Sequence, residues 1–423
     1  MAYRQLTEAS VASYLSTLPE MGRRFSSFDD LEVNEVGDGN LNFVYIVTNR
    51  ANTDETVAVK QAVPFLRIVG ESWPLSRHRM DFEIAALRTH RELCPQHVPE
   101  IYFASSDMSL VVMQNLREHR ILRGEMIEGR RFPLLADHMS TYLAQTLFHT
   151  SDLYLGSESK KQAVRGAINV ELCKITEDFV FTHPYDDSDT NDYNPELPRE
   201  AIESIQKDPE VRASVGEMKY AFMTRAEALI HGDLHIGSIM GNESQTFVID
   251  PEFAFCGPMG FDIGALIGNL YLAYFAHNWR QRDMGNDPVP YRSWLLETAE
   301  AIWNEFELKF LDLWRAHDDA GKASFIGRDL DSGSTEAFRR RFMRRLLSDS
   351  VGFAACKMMR RIVGIAKVAD IAGIPDLTAR AVIEQQALEM GRRMVTGRDR
   401  FGSISAVSAL AREISPLRGA GRP

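Results

Sequence analysis

The chain has 423 residues, 44% hydrophobic and 25% charged, an ordinary globular balance with room for two or three core-forming units. A net charge of −11 argues against a general nucleic-acid binder, which needs a basic face to displace phosphate counterions, but allows a local basic pocket for one phosphate group. Cys94, Cys173, Cys256 and Cys356 have no C-x-x-C or ligand spacing, so they read as reduced thiols of a cytoplasmic protein, not as a disulfide or metal framework.

The Met-Ala-Tyr-Arg-Gln-Leu start lacks an apolar signal core, and no internal repeat is visible. Up to about Ala104 the chain is strand-rich. Residues 41–47 carry the apolar and aromatic side chains of a strand, and residues 56–60 follow across the turn-forming 52–55 stretch, so the two read as an antiparallel hairpin. Met80, Ile84, Leu87 and Leu93 give residues 77–93 the apolar spacing of an amphipathic helix. Residues 110–113 are a short buried strand, which Gln114-Asn115-Leu116 leaves.

Helical patterns then dominate: 137–155 and 209–229, with the turn-rich 183–198 stretch a surface loop between them. Short strands at 228–230 and 245–250 interrupt them. Helices resume at 262–276, 290–316, 335–369 and 379–395. The longest apolar run, 263–275, is broken by Gly264, Gly268 and Asn269. It reads as a buried helix, since no window reaches the ~20 apolar residues of a membrane span. The tail from 396 to 423 has weak periodicity, and disorder is expected at its end.

Several short motifs carry chemistry. His231-Gly232-Asp233-Leu234-His235 follows one short strand, and Asp250-Pro251-Glu252 ends the next. Acids after two adjacent strands bring carboxylates together, as phosphoryl transfer requires: one to orient and deprotonate a hydroxyl, others to hold Mg²⁺ against ATP phosphates. Taken alone, His-Gly-Asp is common by chance, and a capped turn with solvated acids would look the same. His231 and His235 more often orient a loop than bind zinc, and no other His or Cys has ligand spacing. Gly37-Asp38-Gly39-Asn40-Leu41-Asn42 opens the hairpin, where glycines let backbone approach phosphates, though a plain turn gives the same pattern.

Lys60 closes Val57-Ala58-Val59-Lys60, the place of a lysine that bridges the α- and β-phosphates, with Glu83 on the next helix to hold it. A surface lysine at a strand end is the everyday alternative. Arg360-Arg361 lies in an otherwise largely apolar helix, and adjacent residues point about 100° apart. At least one arginine should therefore face the interior and want an anionic or polyhydroxy partner, unless it serves an ion pair between helices. What sets these motifs apart from chance is their order, which is that of a two-lobed kinase: an α+β protein-kinase-like fold. In it, residues 1–115 form a small antiparallel-sheet N-lobe and residues 116–423 a large, mostly helical C-lobe.

The longer strings resemble the 5-methylthioribose kinases of the aminoglycoside-phosphotransferase and choline-kinase group. They are residues 37–42, 59–61 running to 69–74, 169–177, 231–238, 250–262 and 357–364, so the likeness spans nearly the whole chain. It implies ATP-dependent phosphorylation of the anomeric hydroxyl of 5-methylthioribose in methionine salvage, by a cytoplasmic homodimer. Carried over by position, Asp233 is the base and faces the sugar, and Asp250 and Glu252 are the Mg²⁺ ligands. Asn40 and Lys60 meet the phosphate side of ATP, with Pro251 between the metal ligands. Gln114, Asn115 and Leu116 form the hinge against adenine. Arg360 and Arg361 are twin arginines at the sugar site, and Trp73 belongs to a loop that closes near the substrate. Ser238 departs from the commoner kinase pattern but is shared by the methylthioribose kinases, whereas Ile236, Lys367 and the Gln114-Asn115 pair depart from what the resemblance leads one to expect; none touches the base or the metal ligands. The rivals are a kinase of choline, homoserine or an aminoglycoside, and a silent nucleotide-binding pseudokinase.

Overall fold

In the computed structural model, which describes residues 3–37, 41–66, 70–317 and 333–418 (66 and 70–72 by backbone alone), the expected hairpin is the centre of the first lobe. Helix α1 (Glu8–Ser16) precedes β1 (Leu31–Glu35), β2 (Asn42–Asn49) and β3 (Asn52–Ala62). A two-stranded excursion, β4 (Phe65–Leu66) and β5 (Gly70–Pro74), leads to α2 (Arg79–Leu93), β6 (Ile101–Ser105) and β7 (Leu110–Gln114). The sheet order is β1-β2-β3-β7-β6, with antiparallel neighbours throughout. Side chains alternate across a strand. Val57 and Val59 therefore face a core with Val11, Tyr14 and Leu15 of α1, while Lys60 and Ala62 fall nearer α2, where Met80 and Ile84 close over Ala62 and Val111.

After β7 the chain enters the second lobe. It runs through β8 (Arg120–Ile121), α3 (Leu122–Ile127), α4 (Leu135–His149), α5 (Ser157–Gly166), α6 (Val170–Phe181), α7 (Arg199–Gln206) and α8 (Pro209–Thr224). Four short strands follow: β9 (Ala228–Ile230), β10 (Ile239–Gly241), β11 (Thr246–Val248) and β12 (Phe255–Gly257). They form two small antiparallel sheets, β11-β10-β8 and β12-β9. The chain ends in α9 (Met259–Asp283), α10 (Pro288–Ala316), α11 (Gly333–Val363), α12 (Ala369–Ala372), α13 (Leu377–Gly397) and α14 (Ile404–Ile414).

Some helix ends differ from the sequence expectation. Helix α4 stops at His149, not 155, because the Thr150 and Ser151 hydroxyls turn back onto the Thr146 and Phe148 carbonyls (2.7 Å each) and Lys160 Nζ donates to the Thr150 carbonyl (2.9 Å). Helix α8 ends at Thr224, ahead of β9. Helix α11 ends at Val363, whose carbonyl accepts from Asp192 N–H (2.9 Å), so the 183–198 stretch is not simply surface: Tyr185, Asn194 and Leu197 are buried. The tail forms α14, capped by Ser403 Oγ on Ala406 N–H (3.3 Å). The last five residues, where disorder was expected, lie outside the described residues.

By length and composition α9 could cross a membrane, but the whole of its apolar window is buried inside the protein. Its glycines explain how. A Cβ on Gly264 would fall 2.5 Å from the Ser350 carbonyl oxygen and 2.7 Å from Ala354 N, and Gly260 and Gly268 meet the same backbone nearly as closely. Helices α9 and α11 thus touch main chain to main chain. Gly264→Val should lower the unfolding free energy by about 3 kcal/mol, the upper range for an overpacked core. Chemical denaturation at unchanged stability would refute that contact.

His90 ties α2 to the second lobe: Tyr142 Oη lies 2.9 Å from its Nδ1, and its Nε2 lies 3.2 Å from the Leu229 carbonyl oxygen. Burial pushes the imidazole pKa down to about 4. The unfolded chain therefore binds the extra proton first, and stability is lost as pH falls from about 6.5 to 4. His90→Gln should remove ~3 kcal/mol of that acid sensitivity, as the size of the shift implies. Parallel stability–pH curves for the two proteins would contradict it.

Candidate active site

Strand β9 ends at Ile230, and the chain turns through His231-Gly232-Asp233. Gly232 has φ +82°, and a Cβ there would lie 2.1 Å from the Phe253 carbonyl oxygen, so glycine alone lets this loop rest on the loop after β11. Buried Asp262, in the first turn of α9, accepts from the backbone N–H of His231 (2.6 Å) and of Gly232 (3.0 Å). His231 Nε2 donates to the Ile249 carbonyl (2.8 Å), which fixes its tautomer and leaves Nδ1 to accept from Asp233 N–H (3.2 Å). The loop is thus held to α9 on one side and to the approach of Asp250 on the other.

Asp233 sits in a ring of cations. Lys357 Nζ hydrogen-bonds its Oδ1, Arg360 Nη2 lies 3.7 Å from Oδ1, and Arg361 Nη2 lies 3.9 Å from Oδ2. The three occupy i, i+3 and i+4 of α11, one face of the helix. His235 Nε2 is 3.4 Å from Oδ2. Burial alone would raise the Asp233 pKa, but Lys357 foremost, with His235 and Arg361, holds it well below the ordinary carboxylate value. Both arginines are buried, and the Nε–H of each lacks a hydrogen-bond partner among the described residues. Both twin arginines thus face the interior, where the sequence required at least one.

The second cluster has the opposite sign. Asp250 adopts φ +67°, a strained conformation for a non-glycine residue, and its Oδ1 meets Lys60 Nζ. Lys60 also pairs with Glu83 Oε1 at 2.7 Å. Oxygens of Glu83, Asp250 and Glu252 lie within 4.8 Å of one another. Burial, then the Asp250 charge, pushes the Glu252 carboxyl up to about 8. Crowded acids of this kind suit a bound cation, so the donor set fits Mg²⁺.

Three side chains outside the sequence expectation hold this cluster. Asn42 Nδ2 donates to Glu252 Oε2 (2.8 Å), and Asn169 Nδ2 to the Glu252 carbonyl (2.8 Å). Arg79, one helical turn before Glu83, bonds the Leu41, Val63 and Ser76 carbonyls (2.9, 2.9 and 2.8 Å) and Asn42 Oδ1 (2.9 Å).

The remaining expected residues lie as follows. Gln114 ends β7, with Oε1 accepting from Glu100 N–H (3.2 Å); Asn115 Nδ2 donates to Thr56 Oγ1 (2.9 Å); Leu116 is buried. Pro251 is buried between the two acids. The Trp73 ring meets Phe179 of α6 at 6.1 Å between centroids. Asn40 lies outside the described residues.

Sequence reading missed Lys357, Asp262, Arg79, Asn42 and Asn169 as members of these clusters. A signal existed for Lys357, a lone cation one turn before the twin arginines, and for Arg79, four residues before Glu83.

This two-lobed α+β architecture, with acids on adjacent loops facing a lysine–glutamate pair, is that of a small-molecule kinase. Residues 161–320 match the model of a family described as "Phosphotransferase enzyme family". Methylthioribose kinase 1 of Oryza sativa subsp. japonica is 45% identical, over 96% of this chain and 94% of that protein. The methylthioribose kinase of Escherichia coli O45:K1 is 40% identical over 96% of each chain, and that of Geobacillus sp. strain WCH70 is 37% identical over the same shares. The chain belongs to the methylthioribose kinase family.

The anchoring of the Asp233 loop by Asp262 makes a prediction. Asp262→Asn keeps one acceptor but loses the charge-assisted second bond, at a cost of about 2 kcal/mol. Turnover should fall at least tenfold with the KM for ATP little changed, as steady-state kinetics would read. Wild-type turnover would sink the role.

Proposed function

We propose that this chain transfers the γ-phosphoryl group of ATP to the anomeric hydroxyl of 5-methylthioribose, forming 5-methylthioribose 1-phosphate, a step of methionine salvage. The observation that carries the reading is that the loop presenting a cation-ringed Asp233 and the loop carrying Asp250 and Glu252 are joined by the His231–Ile249 bond. Whole-length similarity to methylthioribose kinases supports the choice of acceptor.

Each residue then has a task. Asp233 orients the sugar hydroxyl and takes its proton. Asp250 and Glu252 hold Mg²⁺, which when bound would neutralise charge on the β- and γ-phosphates. Lys60, kept in line by Glu83, meets the α- and β-phosphates, and Asn40 is a further contact on the phosphate side of ATP. Backbone of Gln114, Asn115 and Leu116 meets adenine in the cleft between an N-lobe of residues 1–115 and a C-lobe of residues 116–423. Arg360 and Arg361 serve the sugar side, and the β4–β5 excursion carries Trp73 toward it. Transfer is in line, through a loose transition state that needs positioning and charge neutralisation more than covalent chemistry. The working form is a cytoplasmic homodimer.

The cations around Asp233 disfavour choline and aminoglycosides, whose own positive charge would be repelled there. Retention of Lys60, Asp233, Asp250 and Glu252 disfavours a silent pseudokinase.

The test is ATP consumption with 5-methylthioribose, ribose, choline or homoserine, each offered in turn. Stimulation by 5-methylthioribose above the others is expected. Asp233→Asn should lower kcat by about 10³, within the range of general base catalysis, while Mg·ADP affinity stays within about twofold. Stimulation by choline alone, or full activity in the variant, would overturn the assignment.

A further inference from the structure

Lys357 is the residue the proposed function leaves unexplained. A lysine ammonium 3% exposed is costly unless paired, and the acceptor it meets among the described residues is the carboxylate of Asp233. Its Nζ also lies 4.9 Å from the centroid of the Phe261 ring, a cation–π contact. A base bound this way is a poor proton acceptor until the ammonium finds another anion. The incoming γ-phosphoryl group supplies one, beside the same oxygen.

We propose that Lys357 is a phosphoryl-binding cation that releases Asp233 Oδ1 as transfer proceeds and passes its hydrogen bond to an oxygen of the transferring group. The inference rests on the reading of Asp233 as the base.

The step balances. The sugar oxygen forms its bond to Pγ as the bond from Pγ to the bridging oxygen of ADP breaks. The hydroxyl proton goes to Asp233, which becomes neutral. Lys357 keeps its proton and pairs with the dianionic product instead of the lost carboxylate. The Nη2 groups of Arg360 and Arg361, 3.7 and 3.9 Å from the same carboxylate, suit the other phosphoryl oxygens. A neutral sugar enters such a ring without repulsion, and a phosphorylated one is held by it.

The groups facing Lys357 are Asp233 on the loop, Arg360 and Arg361 on its own helix, and Asp262 on α9, while His235 lies against the other Asp233 oxygen. Burial, against the pull of Asp233, brings its ammonium pKa down to about 8. A working cation with that pKa must fail as the solution turns alkaline.

The experiment follows kcat/KM for the acceptor sugar against pH, at saturating Mg·ATP, in the wild-type enzyme, Lys357→Met and Lys357→Arg. Wild type should lose activity above about pH 8. Lys357→Met should show kcat about 10²-fold lower, the scale of one lost charge-stabilising donor. Its alkaline limb should vanish, and an acidic limb should rise toward neutrality as Asp233 loses its ammonium partner. Lys357→Arg, which cannot lose its proton in this range, should recover part of the rate without the alkaline limb.

A wild-type profile flat to pH 9.5 overturns the proposal even if neither variant folds. So does a folded Lys357→Met that binds Mg·ADP normally but keeps the wild-type limbs, since that marks a structural role. Failure of the kinase reading would appear separately, as wild-type enzyme that no sugar stimulates.

Discussion

Helices α9 and α11 lie backbone against backbone along Gly260, Gly264 and Gly268, and both charged halves of the reaction centre take their positions from that contact. From α9, Asp262 reaches up to hold the His231–Gly232 turn. From α11, one turn beyond the contact, Lys357, Arg360 and Arg361 reach the carboxylate which that turn presents. Any side chain at Gly264 would push the helices apart and carry the cations away from Asp233. A small-residue stripe deep in the core is thus a constraint on chemistry as well as on packing.

The two clusters are electrostatic opposites, and the contrast follows from what each must meet. Around Lys60, three acids crowd together, and burial pushes the Glu252 carboxyl far above its usual range. That is a site in want of a divalent cation. Around Asp233, three cations and a histidine surround one acid and keep it ionised. That is a site in want of anionic oxygens. In the proposed transfer, charge moves from the first environment toward the second, and fixed charges already in place need little reorganisation as it moves.

The lobes are also tied to each other by single side chains. Arg79 gathers the end of the glycine loop, Val63 and Ser76 around Asn42, and Asn42 reaches across to Glu252. His90 joins the same helix to β9 through the Leu229 carbonyl, and to Tyr142. Helix α2 therefore carries Glu83 on a support fixed at both ends. The lysine–glutamate pair is in place within the fold itself.

Local sequence determined a good deal. A run of apolar and aromatic residues and a turn-rich stretch identified the β2–β3 hairpin, and the Val-Ala-Val-Lys pattern paired Lys60 with Glu83. Acids placed after two short strands marked the two loops, and long helical patterns marked α9 and α11. Helix ends were less legible, because they depend on distant partners: Lys160 closes α4, and Asp192 meets the end of α11. The tail helix α14 was hidden because eleven residues carry too few turns to stand out without the surface they pack on. Lys357 looked like any lysine in a helix, and Asp262 like an ordinary first-turn acid. Only tertiary structure gave them their partners, 124 and about 30 residues away in the chain. A sequence states which charges exist. The free energy of a buried charge depends on what stands within a few ångströms of it, and folding alone decides that.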